Sequence, residues 1–462
     1  MSVKRLVLLH LTLVLLLTGC NLPAGNQNTA DLNSPANSAP QPPQDTQNED
    51  QPLLEAVPAP EMVAGQRIQP AQIVYLGAFR LPEASGVSDW DYSGHGLTYY
   101  PDGDPQGAGD GYSGSLFGIG HDHQLAVSEI SIPAPVMTKD PAQMNQAETL
   151  QPFVQLSEGL IDLESYDLPR AGLSWLPGEN GGSLNFCYAD HLEDGHPTHG
   201  KAQITLSQPN QQGLWHLDSF SNFTTCDYIF EIPADWAETY APGMQLATGR
   251  FREGVWGGQG PALYAYQPTP EGDTIQKVVQ LLMYGIQEEN SLVIDSDENT
   301  RMDTYQLADH WTGGAWLTAG EESAVIFLGT KAMGRSWYGF ANGVEWDYAC
   351  ADNDPPDCPD VPEWPYDNRG YWAEGYQAQL IFYDTDQLGA VARGELKPYH
   401  PQPYATLDLT PYLLNPELDF GNYKRDLVGS MAFDAVNGRL YILERLADES
   451  KSVVHVFEVV SP

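Results

Sequence analysis

The chain has 462 residues, of which 21 are Lys or Arg and 62 are Asp or Glu, giving a formal net charge of −41. Charged residues are only 18% of the total, so the acidity comes from scarce basic residues rather than from an acidic tail. A surface this negative repels phosphate backbones, which sets nucleic acid aside as a partner.

The first stretch, "MSVKRLVLLHLTLVLLLTGC", places Lys4 and Arg5 before an apolar run that is too short for a comfortable membrane span. Residues 1–19 read as a secretory leader. The ending Leu17-Thr18-Gly19-Cys20 resembles the lipobox of bacterial lipoproteins. That resemblance implies diacylglycerol on the Cys20 thiol, cleavage just before it, and a membrane anchor made of lipid alone. Asn21 rather than Asp follows the cysteine, so the resemblance further implies the outer face of a bacterial membrane, in the outer membrane or at the cell surface. No later stretch reaches the ~18 apolar residues of a membrane-crossing helix. Residues 20–66 are rich in Asn, Gln, Pro, Ala and Asp. They cannot bury enough apolar area to offset chain entropy and read as a disordered tether.

From 67 to 462 the chain reads as β structure. Aromatic content of 11%, with 44 Gly and 36 Pro, suits many short strands joined by turns. "AQIVYLGAFRLP" (71–82) is a strand without a hairpin partner of its own. Five segments then combine small residues with an apolar or aromatic run: 94–102, 171–178, 258–266, 312–318 and 428–434. Behind them come second strands such as "GSLFGIGHD" (114–122), "GSLNFCYAD" (182–190) and "GRLYILER" (438–445), then third strands including "DYIFEIP" (227–233). Units of this kind predict an all-β, five-bladed β-propeller, with insertions near 134–165, 191–215 and 334–376. Small residues begin the innermost strands because those strands crowd a narrow axis. The last unit has only three strands, so the strand at 72–80 is expected to pair with 453–459 and close the ring. The arrangement resembles secreted bacterial β-propeller proteins of uncharacterised function. The resemblance is one of fold, since neither the Trp-Asp repeat nor kelch glycine pairs are present. The blade number also resembles several glycoside hydrolase families, but none of their catalytic motifs can be matched.

With Cys20 assigned to lipid, Cys187, Cys226, Cys350 and Cys358 remain, an even number suited to disulfides in an oxidising compartment. Cys187 and Cys226 flank what read as adjacent strands of one unit and are expected to pair. Cys350 and Cys358 ("CADNDPPDC") would staple a small loop.

In a propeller, the loop before each innermost strand and the loop after each second strand open on one face. That rule gathers His95, His121, Asp122, His123, Asp190, His191, Glu253, Trp256, His310, Lys331, Glu444 and Arg445 at one axial rim, along with Arg252, Trp311, Arg425 and Asp426. His121 and His123 would chelate together only if their loop bends, since alternate residues of an extended chain face opposite ways. His196 and His199 offer a second, weaker metal option. "DSDENTRMD" (295–303) imitates the start of a calcium loop with Asp295, Asp297 and Asn299. It lacks the sixth-position glycine and has Gln306 where the bidentate glutamate belongs. Calcium or another divalent cation is the one cofactor suggested. No G-x-S-x-G, H-E-x-x-H, Walker or dinucleotide motif occurs. The expectation is a ligand-binding or interaction module whose rim takes a glycan, peptide or protein. The alternative is a polysaccharide hydrolase or lyase using rim carboxylates set ~5–10 Å apart.

Overall fold

Short runs such as Leu97-Thr98-Tyr99-Tyr100 are apolar on both faces, so each needs a packed neighbour on either side. A computed structural model describes residues 66–461, apart from 106, 164–165, 167–168, 192–194, 252–255, 286–299, 348–349 and 351–357. The leader, Cys20, the tether, Arg252, Glu253 and the acidic stretch at Asp295, Asp297 and Asn299 lie outside the described residues.

β1 (Ile73–Arg80) opens the fold. Blade one holds β2 (Leu97–Tyr100), β3 (Ser115–Ile119), β4 (Val127–Ser131) and β5 (Thr149–Val154). Blade two holds β6 (Arg170–Leu176), β7 (Ser183–Ala189), β8 (His199–Gln203) and β9 (Gln212–Leu217). Blade three is β10 (Tyr228–Glu231), β11 (Leu246–Gly249), β12 (Leu263–Tyr266) and, beyond the short β13 (Thr274–Ile275) that joins the edge of β9, β14 (Val278–Leu282). Blade four is β15 (His310–Ala319), β16 (Glu322–Gly339), β17 (Gly370–Tyr383) and β18 (Ala405–Asp408). Blade five is β19 (Val428–Asp434), β20 (Arg439–Asp448) and β21 (Lys451–Val459), completed by β1.

β1 runs antiparallel to β21, from Ile73 opposite Val459 to Arg80 opposite Val453. The first and last strands of the described residues thus share one sheet, and the ring closes without a free edge there. The first strands of the blades form the inner ring: β2 touches β6, β6 touches β10, β10 touches β15, β15 touches β19, and β19 touches β2. Crowding explains its small residues. A Cβ on Gly429 would lie 2.3 Å from the Gly94 carbonyl oxygen, and one on Gly314 would lie 2.6 Å from the Phe230 ring.

Blades two and three differ from the sequence reading. The innermost strand of blade three is β10, within "DYIFEIP", which reads as a third strand; segment 258–266 supplies the third strand, β12. The outer strands of blade two, "HGKAQ" and "QGLWHL", lie in what reads as the insertion 191–215. Their polar residues carry no alternating apolar signal to mark them as strands. Likewise 134–165 contains β5. In 334–376, β16 and β17 extend as a hairpin that pairs out to Gly339 opposite Gly370.

This shift also changes the cysteines. Cys226 precedes β10, so it meets Cys187 of β7 across the junction of two blades. The two remain buried thiols rather than the expected disulfide, and they interact through a hydrogen bond. Cys350 and Cys358 are bonded as expected, with Cα atoms 5.8 Å apart.

Candidate functional site

The inner strands all start at one end of the ring, and the loops that feed them bring polar side chains there. At His121 the chain bends: its carbonyl accepts from Gln124 N at 3.0 Å and Leu125 N at 2.8 Å. The bend brings the His121 and His123 rings to 5.9 Å. However, His121 Nδ1 already accepts from His123 N at 3.2 Å, which occupies that nitrogen. Among the described residues no group of three His, Cys, Asp or Glu side chains could hold a metal ion. His196 stacks on Tyr166 at 5.6 Å. His199 is a core residue between Thr198 and Thr248, with its pKa pushed down to about 3 by burial.

Asp122 is tied to blade five. Arg445 Nη2 donates to its Oδ2 at 3.1 Å and to the Tyr92 carbonyl at 2.8 Å, while the guanidinium lies 5.4 Å over the Tyr423 ring. Tyr423 stacks on Tyr92 at 5.4 Å, and its hydroxyl donates to Asp122 at 3.4 Å. A second cluster joins blades two and three around the fully buried Arg250. It donates to the Asp190 carbonyl at 3.4 Å and the Asn222 carbonyl at 3.1 Å, and meets His191 Nδ1 at 3.4 Å. Trp256 packs edge-on to Phe223 at 5.4 Å there. Lys331 is buried against Asp309 with Nζ–Oδ1 at 2.6 Å, and burial raises the Asp309 pKa despite the opposing pull of the ammonium.

Glu444 does not line the mouth. Its neighbour Arg445 reaches Asp122, and successive side chains of a strand face opposite ways. The Glu444 carboxylate accepts from Leu414 N at 2.8 Å, Asn415 N at 2.6 Å and His455 Nε2 at 2.7 Å. It pins the loop before β19 to the blade.

Six side chains converge near the axis: His95, Arg170, His310, Arg425, Asp426 and Arg445. His310 Nδ1 lies 2.7 Å from Asp426 Oδ1, and His310 Nε2 is buried with no hydrogen-bond partner among the described residues. Burial alone would raise the Asp426 pKa, but His310, Arg445 and Arg425 outweigh it and hold the carboxyl well below its usual range. His95 is half-buried. Desolvation, then the charges of Arg445 and Arg170, push its pKa well down and keep it neutral. Arg425 lies 4.8 Å over the Trp372 ring and donates to the Tyr371 carbonyl. The half-buried Arg170 makes no hydrogen bond or ion pair among the described residues. Sequence reasoning missed Arg170, Tyr92 and Tyr423. The signal for Arg170 was its place at the start of an inner strand, as at His310, in a chain where basic residues are rare.

The fold and site define a five-bladed β-propeller with a polar axial mouth. No family model and no curated protein matches the chain. Among solved structures it is similar to the PQQ-bound aldose sugar dehydrogenase from Streptomyces coelicolor, at 10% identity over 84% of this chain and 97% of that one, with a TM-score of 0.33. A likeness that distant carries no argument here. The propeller assignment rests on the five sheets and the closed inner ring.

Proposed function

We propose that this protein is an extracytoplasmic binding module whose axial mouth takes an anionic ligand, best matched by a uronate-bearing glycan. One observation carries the reading. A chain with only 21 Lys and Arg residues directs Arg170, Arg425 and Arg445 to a single mouth beside His95 and His310, and the Arg170 side chain makes no hydrogen bond or ion pair there among the described residues. A guanidinium fork matches a carboxylate in two-point geometry, and the surrounding negative surface leaves this mouth as the favourable landing place. Calorimetric titration with an oligogalacturonate at low salt is expected to show saturable binding. Arg170→Ala should weaken it by about tenfold, about 1.4 kcal/mol, with no change in melting temperature. Equal binding of a neutral oligosaccharide, or no effect of Arg170→Ala, would overturn the reading.

A catalytic version has one observation in its favour: Asp426 holds His310 Nδ1 and so orients the imidazole, whose Nε2 has no hydrogen-bond partner among the described residues. Two described rim carboxylates, Asp122 and Asp426, are engaged by charged partners, which does not favour their use as a hydrolytic pair. An unsaturated uronate product, appearing with wild type and absent with His310→Gln, would select a lyase over a binding module.

The lipobox resemblance places this module on the outer face of a bacterial membrane through Cys20. Labelled palmitate should enter the wild type and not Cys20→Ala.

A further inference from the structure

The far end of the ring is built from different chemistry. There the C-terminal halves of the five inner strands enclose a cavity of ≈ 270 Å³. That is near the lower end of the roughly 300–1,000 Å³ typical of small-molecule sites. Its wall includes Trp175, Ile229, Phe230, Trp316, Met431 and Phe433, with short hydroxyls such as Thr98 and Ser174 between them. One acidic side chain, Glu231 at the end of β10, joins this lining. No basic side chain among the described residues pairs with its carboxylate. The side chain is exposed to solvent at the open end, and desolvation on the side that meets the wall raises its pKa.

Glu231 is exposed to solvent at the open end, so water solvates its carboxylate and an entering counter-charge can reach it beside the aromatic wall. A metal ion is a poor candidate, because hard cations need several oxygen ligands and Glu231 offers the one carboxylate. A neutral apolar guest would leave the charge unanswered. Aromatic faces, in contrast, attract organic cations. We propose that this cavity binds a small organic monocation, an ammonium bearing apolar substituents, with Glu231 as counter-ion and Trp175, Phe230 and Trp316 around its body. The net charge of −41 favours the approach of such a cation. The site is independent of the polar mouth, which is basic and lies where the inner strands begin.

The test uses the intact chain and benzyltrimethylammonium chloride, followed by calorimetry and by tryptophan fluorescence. Saturable one-to-one binding is expected. Glu231→Gln should weaken it at least tenfold, and the uncharged isostere neopentylbenzene should compete poorly. Val436→Arg puts a cation at the open end, at a residue that is 79% exposed and so tolerant of change, and should also block binding. It carries the test if Glu231→Gln melts early. Arg170→Ala should bind the ammonium like wild type, which separates this site from the anion site. No saturable binding, equal affinity in Glu231→Gln and Val436→Arg, or equal affinity for neopentylbenzene would each overturn the proposal.

Discussion

Where β2, β6, β10, β15 and β19 begin, the ring gathers His95, Arg170, His310 and Asp426. Where the same strands end, it carries Trp175, Phe230, Trp316 and Phe433. The difference lies in what the connections bring in. At the first end, loops from neighbouring blades can each supply a counter-charge, as Arg445 does for Asp122 and Asp426 for His310. At the other end the turns 320–321 between β15 and β16 and 435–438 between β19 and β20 are short, while the connections 101–114 and 232–245 are long. No basic side chain among the described residues joins the lining. An apolar wall is the solution that needs no partner, and Glu231 is its one charged exception.

The comparison can be broken at the polar end first. Asp309→Ala leaves the Lys331 ammonium buried and unpaired, and removes the acceptor of Ala332 N–H and of Gln306 N–H. Urea unfolding at neutral pH should show a loss of about 3–5 kcal/mol. Glu231→Gln at the apolar end should stay within about 0.5 kcal/mol, because the side chain is exposed and no basic side chain among the described residues pairs with it. Similar losses in the two variants would erase the distinction.

A smaller effect sharpens the comparison through pH. His95 has a folded pKa below its ordinary 6.5. Its contribution is therefore fully present above pH 6.5 and is lost as pH falls toward the folded value, because the unfolded chain binds the proton more readily. Glu231 has a folded pKa above its ordinary 4.5. Its contribution is present below pH 4.5 and is lost as pH rises through the folded value. The two shifts thus act on stability with opposite signs, the Glu231 one above 4.5 and the His95 one below 6.5. His95→Asn should flatten the rise of stability with pH by up to about 1.4 kcal/mol per unit. Glu231→Gln should steepen it. Unfolding free energies measured from pH 4.5 to 6.5 check both signs.

Part of this molecule was legible along the chain because local patterns carry it. Turn glycines before apolar runs mark β3, β7 and β20. The unpartnered strand at 72–80 has its natural place beside 453–459, and the eight-residue separation of Cys350 and Cys358 suits a small stapled loop. The neighbourhood of His95, His310, Asp426 and Arg445 was also legible, since residues after a second strand or before a first strand share a face. Other features had no local signal. Polar, weakly alternating β8 and β9 passed for an insertion, which displaced the reading of blade three and put Cys187 and Cys226 in one sheet instead of across two. Glu444 and Arg445 are adjacent in sequence, yet one is consumed by the backbone of the loop before β19 and the other reaches Asp122. Strand periodicity says that they face opposite ways but not which side is the mouth. That choice belongs to tertiary structure, because it depends on which neighbouring blade offers a partner. The same holds for Arg170, whose distinction is that no described neighbour offers one.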